Sequence, residues 1–184
     1  MNMIPIGYML KKIMPPPDWL KAPQVEWVYS VSNCVSKDFL NYIPFWKHNG
    51  WWMFDNPTIV QNLAKENGVN LDEQTLLYYE AFESEFDENE NAWQAIAPQG
   101  SFHTDVQMPG EKLFRGYDIV TFSVHTSPEC SPLSCNMLAS EIPTNRFCLI
   151  DDFQSAFDIV KRGLADNAEP GPDRIIAVYT VSPG

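Results

Sequence analysis

The sequence predicts an α+β protein: a single compact domain with a mixed or mainly antiparallel sheet and three to four short helices. Three observations predict it. The chain is 45% hydrophobic and 13% aromatic over 184 residues, which supports a packed core rather than a disordered acidic tail. Fifteen prolines against nine glycines mark many stiff connections, and hence short elements. Strand and helix patterns alternate irregularly, with crossovers too variable for a doubly wound parallel sheet.

Residues 1–23 read as an irregular arm packed on the body formed by residues 24–184. Pro5 and Gly7 break the apolar stretch from Ile4 to Leu10, and Pro15, Pro16 and Pro17 favour an extended polyproline conformation. Lys11 and Lys12 follow the apolar stretch instead of preceding it, unlike a signal peptide. Val25 to Val35 has strand character, with Val25, Trp27 and Tyr29 on one parity. Ser36 is placed to cap a short helix carrying Phe39, Tyr42, Phe45 and Trp46. A clearer helix begins at Pro57, with Asn56 as cap, Ile59, Val60, Leu63 and Ala64 as an apolar stripe, and Gly68 as the left-handed stop.

Thr75 to Phe86 reads as a strand running out into solvent, although Tyr78, Phe82 and Phe86 also match helical spacing. Tyr117–Val124 and Arg174–Val181 read as strands. Between them are expected a helix after Ser131, a short strand at Arg146–Ile150 and a helix from Asp152 to Leu164; Pro170, Gly171 and Pro172 turn into the last strand.

Charge is distributed very unevenly. No lysine or arginine lies between Lys65 and Lys112, yet that stretch (the acidic segment at 66–111) holds eleven acids. Removing them from the 24 acids of the chain leaves 13 against 12 bases, so the net charge of -12 is almost entirely local. Such a field repels nucleic acid and anionic lipid and attracts basic surfaces. The expected partner is therefore a basic protein, not nucleic acid and not membrane. The candidate contact residues are Glu80, Phe82, Glu83, Glu85, Phe86, Asp87, Glu88 and Glu90. In size, acidity and lack of catalytic motifs the chain resembles toxin-immunity proteins and nucleic-acid-mimicking inhibitors, a resemblance that carries over no residue.

Chemistry has few footholds. The serine elbow, phosphate loop, dinucleotide fingerprint and His-Glu-x-x-His motif are all absent. Asp87-Glu88-Asn89-Glu90-Asn91 opens like a calcium loop, but Ala92 and Pro98 stand where glycine and a bidentate glutamate are needed. His103 and Asp105 form an isolated histidine–carboxylate pair. The aromatics from Phe39 to Phe54, including Trp46, Trp51 and Trp52, lack the basic groove of a single-strand binder and read as core.

Cys130, Cys135, Cys148 and His125 are soft donors in one stretch, but no Cys-x-x-Cys pair is present, so neither metal nor cofactor is expected. With Ser131 as cap and Pro132 in the first turn, Cys130 and Cys135 read as a reduced hydrophobic staple. The alternative to a binding protein is a small enzyme that uses a carboxylate pair, or Cys130 or Cys135 activated at a helix N-terminus with His125 as base. Four cysteines in a chain this long make no disulfide scaffold, and the cytoplasm is the expected compartment.

Overall fold

A computed structural model describes residues 1–38, 49–96, 105–122, 130–165 and 170–182. The chain is α+β, and among the described residues it is built on one six-stranded sheet in which every pairing is antiparallel. The strands are β1 (Met3–Lys12), β2 (Lys37–Asp38), β3 (Thr75–Asp87), β4 (Ala92–Ala95), β5 (Leu113–Thr121) and β6 (Asp173–Thr180). Their order is β2-β1-β3-β6-β5, with β4 also paired to β3 beyond the end of β1. The helices are α1 (Pro57–Glu66), α2 (Pro132–Cys135) and α3 (Phe153–Lys161), with single 3-10 turns at Leu71–Glu73 and Leu138–Ser140.

Both faces of the sheet are covered. Neighbouring residues alternate between faces of a strand, and here Ile119 and Ile175 belong to one apolar cluster while Val120 and Ile176 belong to another. The first cluster includes Leu133, Ala156 and Val160 from α2 and α3; the second includes Trp51, Val60 and Ala64 around α1. Asn56 accepts from the Thr58 N–H at 2.7 Å and caps α1, and Gly68 follows it at φ +73°. Asp152 caps α3 through the Ser155 N–H at 2.9 Å. Among the described residues no helix is long and apolar enough to cross a membrane.

Four expected elements differ. Met3–Lys12 is not an irregular arm but strand β1, inserted between β2 and β3. Pro5 and Gly7, which obscured it, sit where the β1–β3 register shifts. Gly7 is required there: at φ +131° a Cβ would lie 2.7 Å from the Phe54 carbonyl oxygen.

Val25–Val35 is not a strand; only Val28 bridges, to Met14. Val25, Val28 and Val31 are buried at three-residue intervals, and residues 30–36 bend around the Lys11 side chain.

Arg146–Ile150 is not a strand either. The Asn145 side chain replaces a ladder, accepting from the Phe147 and Leu149 N–H groups at 2.9 and 3.2 Å and donating to the Arg115 carbonyl at 2.8 Å. The helix after Ser131 is a single turn. The proposed Ser36 helix lies largely outside the described residues, as does the tip of the expected Tyr117–Val124 strand.

Candidate functional site

The site grows from a buried charge. Lys11 is 1% exposed, near the end of β1. An ammonium removed from water needs replacement acceptors. Residues 30–36 supply them: Lys11 Nζ donates to the carbonyls of Ser30 (3.0 Å), Val31 (2.6 Å), Ser32 (2.8 Å) and Ser36 (3.1 Å), and to Asn33 Oδ1 at 3.4 Å. Satisfying these donors explains why the segment forms a bent loop rather than a strand.

Asp118 of β5 fastens the same loop from outside. It is 1% exposed, and its Oδ2 accepts from the Val31 N–H at 2.8 Å and from Ser131 Oγ at 2.7 Å. Ser131 Oγ in turn accepts from the Ser32 N–H at 3.1 Å. The hydroxyl expected to cap α2 is therefore taken by a carboxylate, and Ser131 makes no side-chain cap bond. Burial pushes the Asp118 carboxyl up to about 6; the Val31 N–H, the Ser131 hydroxyl, the Lys11 charge and the Ile119 N–H hold it below where burial alone would place it.

These contacts bring residues 30–36 onto the start of α2, and there the cysteines meet. Cys34 and Cys135 form a disulfide with Cα atoms 5.9 Å apart, an ordinary span for the bond. The Cys130 sulfur joins them: the Sγ atoms of Cys34, Cys130 and Cys135 all lie within 4.8 Å of one another. Cys34 is exposed, Cys135 half-buried and Cys130 buried, so the three form a path from solvent inward. Ser32 Oγ lies 3.6 Å from Cys135 Sγ, and Cys130 Sγ donates to Asn136 Oδ1 at 3.7 Å.

The reduced Cys130–Cys135 staple is thus corrected for Cys135. Its partner is Cys34, 101 positions away and linked to it by no spacing pattern in the sequence. His125 lies outside the described residues, as do His48 and His103. Cys148 is buried, and burial together with the Asp118 charge pushes its thiol up to about 12. That leaves almost no thiolate at neutral pH, so Cys148 is a core residue rather than a nucleophile.

The acidic segment is sorted quite differently from its sequence pattern. Glu80 is buried, with Oε1 accepting from Lys112 Nζ and from Tyr78 Oη at 3.1 Å, and Oε2 accepting from Tyr179 Oη at 2.9 Å. Glu85 is largely buried against Arg174, whose Nε and a terminal nitrogen both reach one Glu85 oxygen at 2.6 Å. Phe86 is buried, and Phe82 is half-buried with edge-to-face contacts to Trp93, Phe153 and Phe157. Of these four, Glu80 and Phe86 are buried, and Phe82 and Glu85 are only partly exposed.

Asp87 is half-buried and ties the β3–β4 turn, accepting from the Asn89 and Glu90 N–H groups at 2.9 and 3.2 Å and from Gln94 Nε2 at 3.2 Å. This is an Asx-type turn rather than a calcium loop. Only Glu83, Glu88 and Glu90 of the candidates are exposed. Glu83 accepts from Asn2 Nδ2 at 2.9 Å.

Comparison with family models, with curated proteins and with solved structures finds no match, so the reading of this site rests on its own geometry.

Proposed function

We propose that the protein acts through thiol–disulfide exchange at Cys34, Cys135 and Cys130. One observation carries this: the sulfur of Cys34 from the 30–36 loop and the two sulfurs that flank α2 lie within 4.8 Å of one another, with one at the surface. A disulfide that merely tied the 30–36 loop to α2 would need no third sulfur beside it.

Each sulfur has a distinct part. A thiolate of a substrate dithiol attacks the exposed Cys34 Sγ, forming a mixed disulfide and releasing Cys135 as thiolate. The second substrate thiol, after losing its proton, attacks its own sulfur in that mixed disulfide. It forms the substrate disulfide and releases Cys34. Two electrons pass from substrate to protein, and Cys34 and Cys135 end as thiols. Cys130 supplies an internal alternative. Its thiolate attacks Cys135 Sγ, a Cys130–Cys135 bond forms as Cys34–Cys135 breaks, and Cys34 leaves as a surface thiolate. Such a pair works as a catalytic or sensing couple in a reducing compartment and persists in an oxidising one.

Equilibration with glutathione buffers, followed by acid quench, alkylation and mass mapping, tests this. The expected result is a reduction potential above about −270 mV, with a minor species containing a Cys130 disulfide. A potential below about −300 mV with only Cys34–Cys135 ever formed would assign the bond a purely structural role.

A second reading concerns the β3–β4 hairpin. Exposed Glu83, Glu88 and Glu90 stand in a stretch without lysine or arginine, and they suit docking to a basic protein, as an inhibitor or immunity protein would require.

A further inference from the structure

We infer that, once Cys34–Cys135 is reduced, the same three sulfurs form a binding site for a soft d10 cation, zinc or cuprous copper. This rests on the reading above only in requiring that the pair be reducible in the folded protein. Soft thiolates select these ions over magnesium or calcium. Three thiolates each about 2.3 Å from zinc lie roughly 3.8 Å apart, so reduction has to let the bonded Cys34 and Cys135 sulfurs separate while Cys130, already within 4.8 Å of both, closes inward. The Sγ atoms of Cys34, Cys130 and Cys135 are within 4.8 Å of one another, so small side-chain rotations suffice to close on an ion.

Charges of both signs are buried around the sulfurs. Lys11 holds a full positive charge at the centre of the loop bearing Cys34. The buried Asp118 carboxylate, bonded to Ser131 beside Cys130, opposes that charge, so it is the placement of the three sulfurs and not the local field that carries the site. Lys11 and Asp118 hold the loop through bonds separate from the disulfide, so two anchors remain when the pair is reduced. Cys34 is exposed and gives the ion a route in. Zinc would complete its shell with water, whereas cuprous copper is satisfied by three sulfurs. Oxidation to Cys34–Cys135 removes two of the three ligands, so metal binding and disulfide formation exclude each other.

Anaerobic titration of the reduced full chain with Zn2+, and separately with Cu+ under a competing chelator, tests the site. X-ray absorption then counts the sulfurs on the metal. About one ion per chain with a shell of three sulfurs is expected, lost on oxidation and in Cys130→Ser. Binding that survives oxidation, or a shell with fewer than three sulfurs, overturns the site, and this readout on the wild-type chain does not depend on any variant folding. A protein that exchanges disulfides but binds neither ion refutes this inference alone. One that binds metal but never forms a Cys130 disulfide removes the internal exchange step alone. Failure of the pair to reduce without unfolding refutes both.

Discussion

Lys11 and Asp118 hold the two polar ends of a single residue, Val31: the Lys11 ammonium takes its carbonyl at 2.6 Å and the Asp118 carboxylate takes its N–H at 2.8 Å. Opposite charges on β1 and β5 are therefore joined through the backbone of a loop rather than by direct contact. The loop that carries Cys34 is fixed on both sides by groups that cannot return to water.

Removing the ammonium should be costly. Lys11→Met keeps the apolar stem but leaves buried carbonyls of Ser30, Val31, Ser32 and Ser36 without their donor, and Asp118 without its balancing charge. A loss of about 3 kcal/mol or more is expected in urea unfolding. A loss below about 1 kcal/mol would mean that water replaces the cation readily.

Asp118 gives a pH dependence of definite sign. Its carboxyl is raised to about 6 in the folded chain from an ordinary 3.8. Between those values the folded state binds more protons than the unfolded state, so this contribution is present at low pH and is lost as pH rises through about 4 to 6. The full difference is on the order of 3 kcal/mol. Urea unfolding of wild type and Asp118→Asn across that range should show a stability difference that changes with pH and then levels off above about 7. A constant difference would place Asp118 in solvent or keep it charged throughout.

The disulfide joins residues 101 positions apart; constraining the unfolded chain to that extent is worth at most about 4.7 kcal/mol, and about 2–4 kcal/mol is the usual yield of such a bond. Cys34→Ser should lose about that much in thermal or urea unfolding. Brief alkylation of the reduced native protein should label Cys34 first and leave Cys148 unmodified, since Cys148 is buried with its thiol pushed to about 12. Rapid native labelling of Cys148 would contradict the burial.

The hairpin acids separate solubility from recognition. Glu83→Gln, Glu88→Gln and Glu90→Gln together should shift stability by no more than about 0.5 kcal/mol, because these side chains are exposed. If the hairpin docks a basic partner, association should slow several-fold at low salt, with the loss shrinking as ionic strength rises. Equal association rates for the triple variant and wild type would remove the hairpin from recognition.

Legibility in the sequence followed the range of the interaction. Helix α1 was readable because its cap, its first-turn proline, its stripe and its stop are all local; β3 and β6 were readable from dense β-branched and aromatic residues. Strand β1 was hidden by Pro5 and Gly7, whose tolerance depends on a bulge against β3. Glu80 and Glu85 looked like surface because their partners, Lys112 and Arg174, lie far along the chain. Cys34 and Cys135 carried no spacing signal for the same reason. One clue was available: Lys11 in an apolar run followed by a serine-rich segment with a cysteine, which is the composition of a loop built to receive a cation.

Strand β3 pairs with β1, made long before it, and with β6, made long after it: Tyr78 stands between Tyr8 and Tyr179. The central ladder therefore closes only when distant stretches of chain meet, and contacts of such high sequence separation make folding slow. During synthesis β1 waits with its hydrogen-bonding edge open until β3 emerges, and β3 then waits for β6. Its buried Glu80 and Arg174-paired Glu85 stay solvated during that interval. Those carboxylates, neutralised by Lys112 and Arg174 only in the finished fold, are inward-pointing charges of the kind that disfavours mispairing of an open strand.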